Sequence, residues 1–172
     1  MEKPVTWAMA PSTQAATINR PRFARMTPLA RTLWTKYFFH PGDNSLLTDA
    51  PPKSQTVTYE TTGDGLTYMT PPMTADLEIT GPVAAKLWLS SDTTDADVFI
   101  ALRVYDPAGK EVVFIGSNDP RTPVGLGWLR ASQRKLDAKE SKPYRPLHTH
   151  DEHQPLTPNV TVELDIEIWP TC

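Results

Sequence analysis

The feature that most limits the fold of this chain is the alternation of apolar and polar residues between Gly81 and Trp169. Apolar residues at every second position lie together on one face of a β-strand. Three runs show the pattern: Val83, Ala85, Leu87 and Leu89; Val98, Ile100, Leu102 and Val104; and Val160, Val162, Leu164, Ile166 and Ile168. The sequence therefore predicts an all-β fold, a sandwich of antiparallel sheets that each keep one solvated face.

The length of 172 residues suits one domain with a single core. Residues 1–24 carry Pro4, Pro11 and Pro21 with little periodicity, so we expect an extended N-terminal arm or linker there. Residues 25–172 are expected to form the β-sandwich domain.

Charge and cysteine content narrow the possible partners. The net charge of −3 comes from 17 basic and 20 acidic residues spread along the chain, which gives no basic stripe for nucleic acid. Cys172 is the single cysteine, so no internal disulfide can form. No apolar run approaches the ~20 residues of a membrane span. We therefore expect a cytoplasmic protein without nucleic-acid or membrane partners.

Turn residues divide the chain into shorter strands. Segments 34–39, 57–59, 66–70 and 77–80 are predicted strands, separated by proline and glycine clusters. Strands over 96–105 and 111–115 are predicted to form a hairpin, because Pro107 and Gly109 stand where a type I turn favours them.

Two clusters resemble metal sites. His148, His150 and His153 lie within six positions, which suits zinc, although they fall in a proline-bearing loop with no later histidine to complete a second ligand set. Asp92, Asp95 and Asp97 have the ligand type that calcium prefers, but a turn held by Asx hydrogen bonds is the favoured interpretation. The sequence therefore predicts no metal and no cofactor.

Several short motifs occur in one order along residues 25–172. They are PLARTLWTK at 28–36, ITGP at 79–82, LWLSS at 87–91, DAD at 95–97, GWLRASQR at 127–134, PYRP at 143–146, PLTP at 155–158 and WPT at 169–171. Together they closely resemble the C-terminal, non-catalytic domain of the cocaine esterase and Xaa-Pro dipeptidyl-peptidase group of serine hydrolases.

This resemblance implies a jelly-roll β-sandwich, similar to galactose-binding domains, that packs on an α/β-hydrolase domain carrying a Ser-Asp-His triad. Members of the group usually continue beyond the WPT stretch, so the sandwich is expected to lack its final strand or strands. A hydrolase nucleophile needs a glycine-flanked elbow, and neither Ser117 nor Ser132 has one. The chain is therefore expected to be a fragment that is inactive alone, while its parent performs acyl transfer on an ester, amide or Xaa-Pro substrate.

A surface for docking on the catalytic domain is also predicted. Strand alternation places Trp128, Arg130, Ser132 and Arg134 on one side, and the long loop that follows carries Tyr144 and Arg145. We expect Trp128, Arg130, Arg134, Tyr144 and Arg145 to form the interdomain interface. Other tryptophans are further candidates for this contact: Trp7, Trp34, Trp88 and Trp169.

Two other functions remain open from the sequence. Jelly rolls often bind sugars through exposed aromatic residues, so a free-standing carbohydrate-binding module is one alternative. A metal-dependent hydrolase that uses His148, His150 and His153 is the other. An exposed sheet edge also makes a homo-oligomer possible.

Overall fold

The computed structural model describes residues 5–6, 33–77, 79–116 and 118–171. Within them the secondary structure is almost entirely β, which confirms the predicted class. The strands in chain order are β1 (Val5–Thr6), β2 (Phe38–His40), β3 (Ser45–Leu47), β4 (Gly81–Leu89), β5 (Asp97–Leu102), β6 (Val104–Tyr105), β7 (Glu111–Val112), β8 (Gly125–Arg130) and β9 (Val162–Thr171). A 3-10 helix, Ala131–Gln133, follows β8. None of the described helical structure is long and apolar enough to cross a bilayer.

Five strands form the main sheet, in the order β1-β5-β8-β9-β4. Its neighbours are antiparallel except for β1, which runs parallel to β5 and places Val5 opposite Ile100. Beyond β1, the predicted N-terminal arm lies outside the described residues. The longest pairing joins β4 to β9, where Leu87 lies opposite Leu164. These two strands carry the clearest alternation in the sequence.

One face of the main sheet carries the core. Ile100, Leu164, Ile166 and Ile168 are almost completely buried on it, as the alternation predicted. The side chains that cover this face come mainly from residues 37–79, with Val124 and Leu156 completing the layer. Each large aliphatic side chain buried in this way stabilises the fold by about 1.5–3 kcal/mol before entropic costs. The opposite face, which we call the outer face, carries the charged and aromatic residues of the same strands.

The covering layer is less regular than predicted. Strand β2 begins at Phe38 instead of residue 34, and segments 57–59, 66–70 and 77–80 form no strand in their described residues beyond a bridge between Met69 and Ser45. Prolines beside these segments cannot donate to a ladder. Their side chains still pack on the core; the rings of Phe39 and Tyr68, for example, meet edge to face at 5.0 Å.

The predicted hairpin is confirmed at its turn and shorter in its strands. Strands β6 and β7 pair across the turn, where the Asp106 carboxylate accepts the N–H groups of Ala108 and Lys110 at 2.9 Å. The expected strand 96–105 divides at Arg103 because β5 pairs with β8 in the main sheet, whereas β6 pairs with β7. Val160, expected in the last strand, precedes it and is exposed.

Candidate docking surface

The outer face of the main sheet exposes three aromatic side chains in a row across adjacent strands. Phe99 of β5, Trp128 of β8 and Trp169 of β9 are 38%, 52% and 60% exposed. Phe99 is the cross-strand partner of Trp128, whose ring centroid lies 5.0 Å from that of Trp169 at an interplanar angle of 59°. We call these three residues the aromatic row. Apolar surface gathered in one patch is typical of contact sites.

Arg130 lies beside Trp128 on the outer face, but its charge is already paired. Its Nε and Nη2 donate to the two carboxylate oxygens of Asp97, its cross-strand partner, at 2.7 and 2.6 Å. The hydrogen bonds from Arg130 hold the pKa of Asp97 below its usual range. This planar, bidentate pair presents a nearly neutral polar border next to the aromatic row.

The predicted alternation is wrong beyond Arg130, because the chain there turns into the 3-10 helix. Ser132 is fully buried instead of sharing the exposed face. Arg134 is half-buried and donates through Nη1 to the carbonyl of Ala131 at 3.0 Å and to that of Gln154. Arg134 therefore ties the following loop to the end of β8. Its role at an interface remains a prediction.

The loop after the 3-10 helix reaches the outer face. Tyr144 stacks on Trp34, with ring centroids 4.5 Å apart and an interplanar angle of 16°. Arg145 ends a tight turn in which it exchanges two backbone hydrogen bonds with Lys142, at 2.9 and 3.0 Å. The positive charge of Arg145 acts on Glu167 of β9, so the loop brings a cation close to the aromatic row.

Glu167 is a half-buried carboxylate on the outer face. Its neighbours follow from the register: pairing of Gly127 with Ile168 places Trp128 beside Glu167, and Trp169 follows two residues later on the same face. Burial raises the pKa of Glu167, and the charge of Arg145 only partly opposes this effect. In the described part of the chain the carboxylate accepts no hydrogen bond and joins no ion pair.

Sequence reasoning named Trp128 and Trp169 but missed Phe99 and Glu167. Both missed residues stand at outward positions of strands that alternation had already identified. An aromatic residue at a position expected to be polar was the available signal for Phe99. Nothing in the sequence indicated that Glu167 would lie beside Trp128, because that depends on the pairing of β8 with β9.

The three histidines of the predicted metal alternative have different surroundings. The rings of His148 and His150 are 6.1 Å apart, and Nδ1 of His150 lies 3.4 Å from Oε1 of Gln133. His153 lies with Nε2 3.9 Å from Oδ2 of Asp95. Burial, followed by the neighbouring His150, lowers the pKa of His148. Among the described residues, no three histidine, cysteine or acidic side chains are grouped to share a metal ion.

Ser132, Asp95 and His153 have the residue types of a hydrolase triad, but the wrong order in space. The hydroxyl of Ser132 donates directly to Oδ2 of Asp95 at 2.6 Å, and Nε2 of His153 lies 3.9 Å from that same oxygen, so the carboxylate and not the imidazole receives the hydroxyl proton's hydrogen bond. In a triad the imidazole stands between serine and aspartate and removes the hydroxyl proton. Ser132 is also inaccessible to any substrate, so this cluster cannot attack a carbonyl.

The chain is similar to two curated proteins over part of their length. Two relatives, provisionally named serine esterases of Mycobacterium bovis and Mycobacterium tuberculosis, are each 32% identical over 111 residues. Those matches cover 62% of this chain but 16% of each relative, so the chain spans about a sixth of their length.

A crystal structure of a CocE/NonD family hydrolase from Staphylococcus aureus shares the fold, with a TM-score of 0.71 and 23% identity over 86% of this chain and 27% of that one. A second crystal structure of a CocE/NonD family hydrolase from Staphylococcus aureus aligns with 33% identity and a TM-score of 0.46 over 51% of this chain and 16% of that one. Residues 3–172 match the X-Pro dipeptidyl-peptidase C-terminal non-catalytic domain. The chain therefore belongs to this family of non-catalytic hydrolase domains.

Proposed function

We propose that this chain is an accessory domain of a serine hydrolase and that it docks on, and supports, an α/β-hydrolase catalytic domain elsewhere in the parent polypeptide. The observation that carries the proposal is the aromatic row exposed on the outer face. Tryptophan and phenylalanine are costly to leave in water and are enriched at the centre of interfaces. The parent would perform acyl transfer through a serine acyl-enzyme on an ester, amide or Xaa-Pro substrate.

The chain's share of its relatives supports an occupant within the same polypeptide. It spans 16% of the curated relatives and 27% of the S. aureus hydrolase, and its family is described as non-catalytic. The inner face of the main sheet is covered by residues of this chain, whereas its outer face exposes aromatic side chains. The outer face is therefore the surface that a neighbouring domain could cover.

Three of the five predicted interface residues support this proposal by their position. Trp128 and Arg130 belong to the outer face, and the charge of Arg145 acts on Glu167 there. Tyr144, the residue before Arg145, stacks on Trp34. Arg134 would act indirectly by fixing the loop. We further propose that residues 25–172 belong to a jelly roll of the galactose-binding type.

The docking proposal is tested in the parent hydrolase with a protease site placed ahead of this domain. After cleavage, size-exclusion chromatography and biolayer interferometry measure whether the two parts stay associated. Trp128→Ser should weaken association at least tenfold, since centrally buried tryptophans often contribute about 2 kcal/mol or more to an interface. Trp88→Ser is the matched control, because Trp88 is 65% exposed at the opposite end of the outer face.

If the cleaved parts separate at once, or both substitutions act equally, docking through the aromatic row is wrong. The isolated chain should also show no labelling by a fluorophosphonate probe and no burst with an activated ester. Labelling of one of its serines would contradict a non-catalytic role.

A carbohydrate-binding module is the second candidate, because the same aromatic row offers ring faces on which sugars can stack. The 59° tilt between Trp128 and Trp169 gives these rings no common plane, so a flat polysaccharide is a poor fit. Glycan-array binding by the isolated chain that is lost in Trp128→Ser would favour this candidate over docking.

A further inference from the structure

We propose that Glu167, together with the flanking rings of Trp128 and Trp169, recognises a cationic side chain, arginine or lysine, presented by the catalytic domain. This inference rests on the docking function proposed above and names the chemistry of the partner's contact. A carboxylate beside exposed indole rings provides both an ion-pair partner and cation–π faces for one guanidinium or ammonium group.

The charge of the outer face favours a cationic partner. Acidic side chains outnumber basic ones on its four long strands, which carry Lys86 and Arg130 against Asp97, Glu163, Asp165 and Glu167. Arg130 is paired with Asp97, and Lys86 lies within hydrogen-bond distance of both Glu163 and Asp165. Glu167 is the outer-face carboxylate that has no ion-pair partner among the described residues.

Partial burial makes this unpaired state costly. A carboxylate removed from water without a compensating partner loses hydration that nothing replaces. The raised pKa of Glu167 reflects this loss, and the charge of Arg145 does not reverse it. Arg145 is placed by its backbone turn with Lys142 and makes no ion pair with Glu167. A cation from a docking partner would supply the missing contact.

Both indole rings lie next to Glu167 on the outer face. Trp128 and Trp169 are each more than half exposed and their ring centroids lie 5.0 Å apart, so a cation paired with Glu167 would also lie against exposed indole surface. Trp88, the other exposed tryptophan of the outer face, lies opposite Glu163, whose carboxylate already contacts Lys86. The combination of open indoles and an unpaired carboxylate therefore occurs at Glu167.

The site is tested on the full chain by NMR of the indole N–H groups, titrated with Nα-acetyl-L-argininamide. We expect saturable shifts of the Trp128 and Trp169 signals, which Trp→Phe variants assign. The neutral ureido analogue Nα-acetyl-L-citrullinamide should bind at least tenfold more weakly. Glu167→Gln should weaken argininamide binding by about tenfold, which corresponds to roughly 1.4 kcal/mol, whereas Glu163→Gln should not. Equal shifts by both ligands, or unchanged binding in Glu167→Gln, would overturn the proposal.

Association of the two parts of the cleaved parent hydrolase distinguishes cation recognition from docking itself. If Glu167→Gln weakens association and reduces its salt dependence, cation recognition is supported. If Trp128→Ser weakens association and Glu167→Gln leaves it unchanged, docking stands and cation recognition is wrong. If the parts do not associate at all, the docking function fails and the titration alone decides whether the cation site exists.

Discussion

Asp95 accepts hydrogen bonds from both the backbone N–H and the hydroxyl of Ser132, at 2.9 and 2.6 Å. The same carboxylate also accepts the N–H of Ala96 at 2.9 Å. Desolvation alone would raise the pKa of Asp95, but the hydrogen bonds from Ser132 and Ala96 outweigh it and lower the pKa. One side chain thereby joins the start of β5 to the helical turn after β8.

Replacing this carboxylate should destabilise the domain. We expect Asp95→Ala to reduce the free energy of unfolding by about 2 kcal/mol, because the buried Ser132 hydroxyl and N–H lose a charged acceptor. Since the folded pKa is lowered, the contribution of Asp95 is present at neutral pH and disappears as the pH falls through that folded pKa. Urea unfolding at pH 7 and at a series of pH values below 3.8, the usual pKa of an aspartate, measures both effects. Asp92→Ala, at an exposed neighbour in the same turn, should change stability by less than about 0.5 kcal/mol.

Gly127 controls the approach of β8 to β9. A Cβ at this position would lie 2.4 Å from the carbonyl oxygen of Glu167 and 3.1 Å from Cγ1 of Ile168. Gly127→Ala should therefore cost about 2 kcal/mol or more and disturb the neighbouring aromatic row. The denaturation midpoint and the Trp128 indole signal measure these changes. Gly42→Ala is the control, because its nearest neighbour is a flexible glutamine side chain at 3.8 Å; equal losses at both sites would contradict this explanation.

Arg134 should stabilise the long loop even in the isolated chain. The loop attaches through Gln154 N–H to the Ser132 carbonyl and Leu156 N–H to the Thr94 carbonyl, both at 2.8 Å. We expect Arg134→Ala to lower hydrogen-exchange protection at these two amides, since the guanidinium holds the Gln154 carbonyl. The exposed Arg121 provides the matched Arg→Ala control. Unchanged protection with weakened docking would instead place Arg134 in direct contact with the partner.

Glu167→Gln should stabilise the isolated chain at pH 7. The folded pKa of Glu167 is raised, so its ionised form opposes folding above its unfolded pKa, and this penalty fades as the pH falls and the carboxyl is protonated. The thermal midpoint of Glu167→Gln should exceed that of the unsubstituted chain at pH 7 and approach it at pH 4. A lower midpoint at pH 7 would mean that the carboxylate has a stabilising contact.

The strands with strict alternation were predictable because one face of each is buried. Leu164 and Ile166 occupy the core as their spacing indicated, and Asp106 and Gly109 formed the expected turn. The strand prediction for short segments such as 57–59 was wrong, because a few apolar side chains can reach the core from an irregular backbone. The alternation from Trp128 to Arg134 was likewise wrong after Arg130, because a 3-10 helix begins at Ala131 and Ser132 is hydrogen-bonded to Asp95, a contact that sequence spacing does not reveal.

The candidate surface was predictable only in part, because alternation gives the face of a strand but not its neighbours. Alternation identifies which side of a strand a residue occupies, and so found Trp128 and Arg130. Cross-strand partners depend on the register between strands. Arg130 makes its bidentate contact with Asp97, which lies 33 positions earlier in the chain, so alternation within β8 could not reveal it. The placement of Glu167 beside Trp128 required the same knowledge.

The division of the chain at Arg103 makes the β6–β7 hairpin a projection from the main sheet. Its turn is exposed from Pro107 to Lys110, and Gly109, at a φ of 77°, has open space around its α-carbon. Because the main sheet contributes no pairing to these two short strands, a fluorophore or affinity peptide inserted here would leave both the core and the aromatic row intact. The hairpin thus offers an attachment point for following the domain in its parent enzyme.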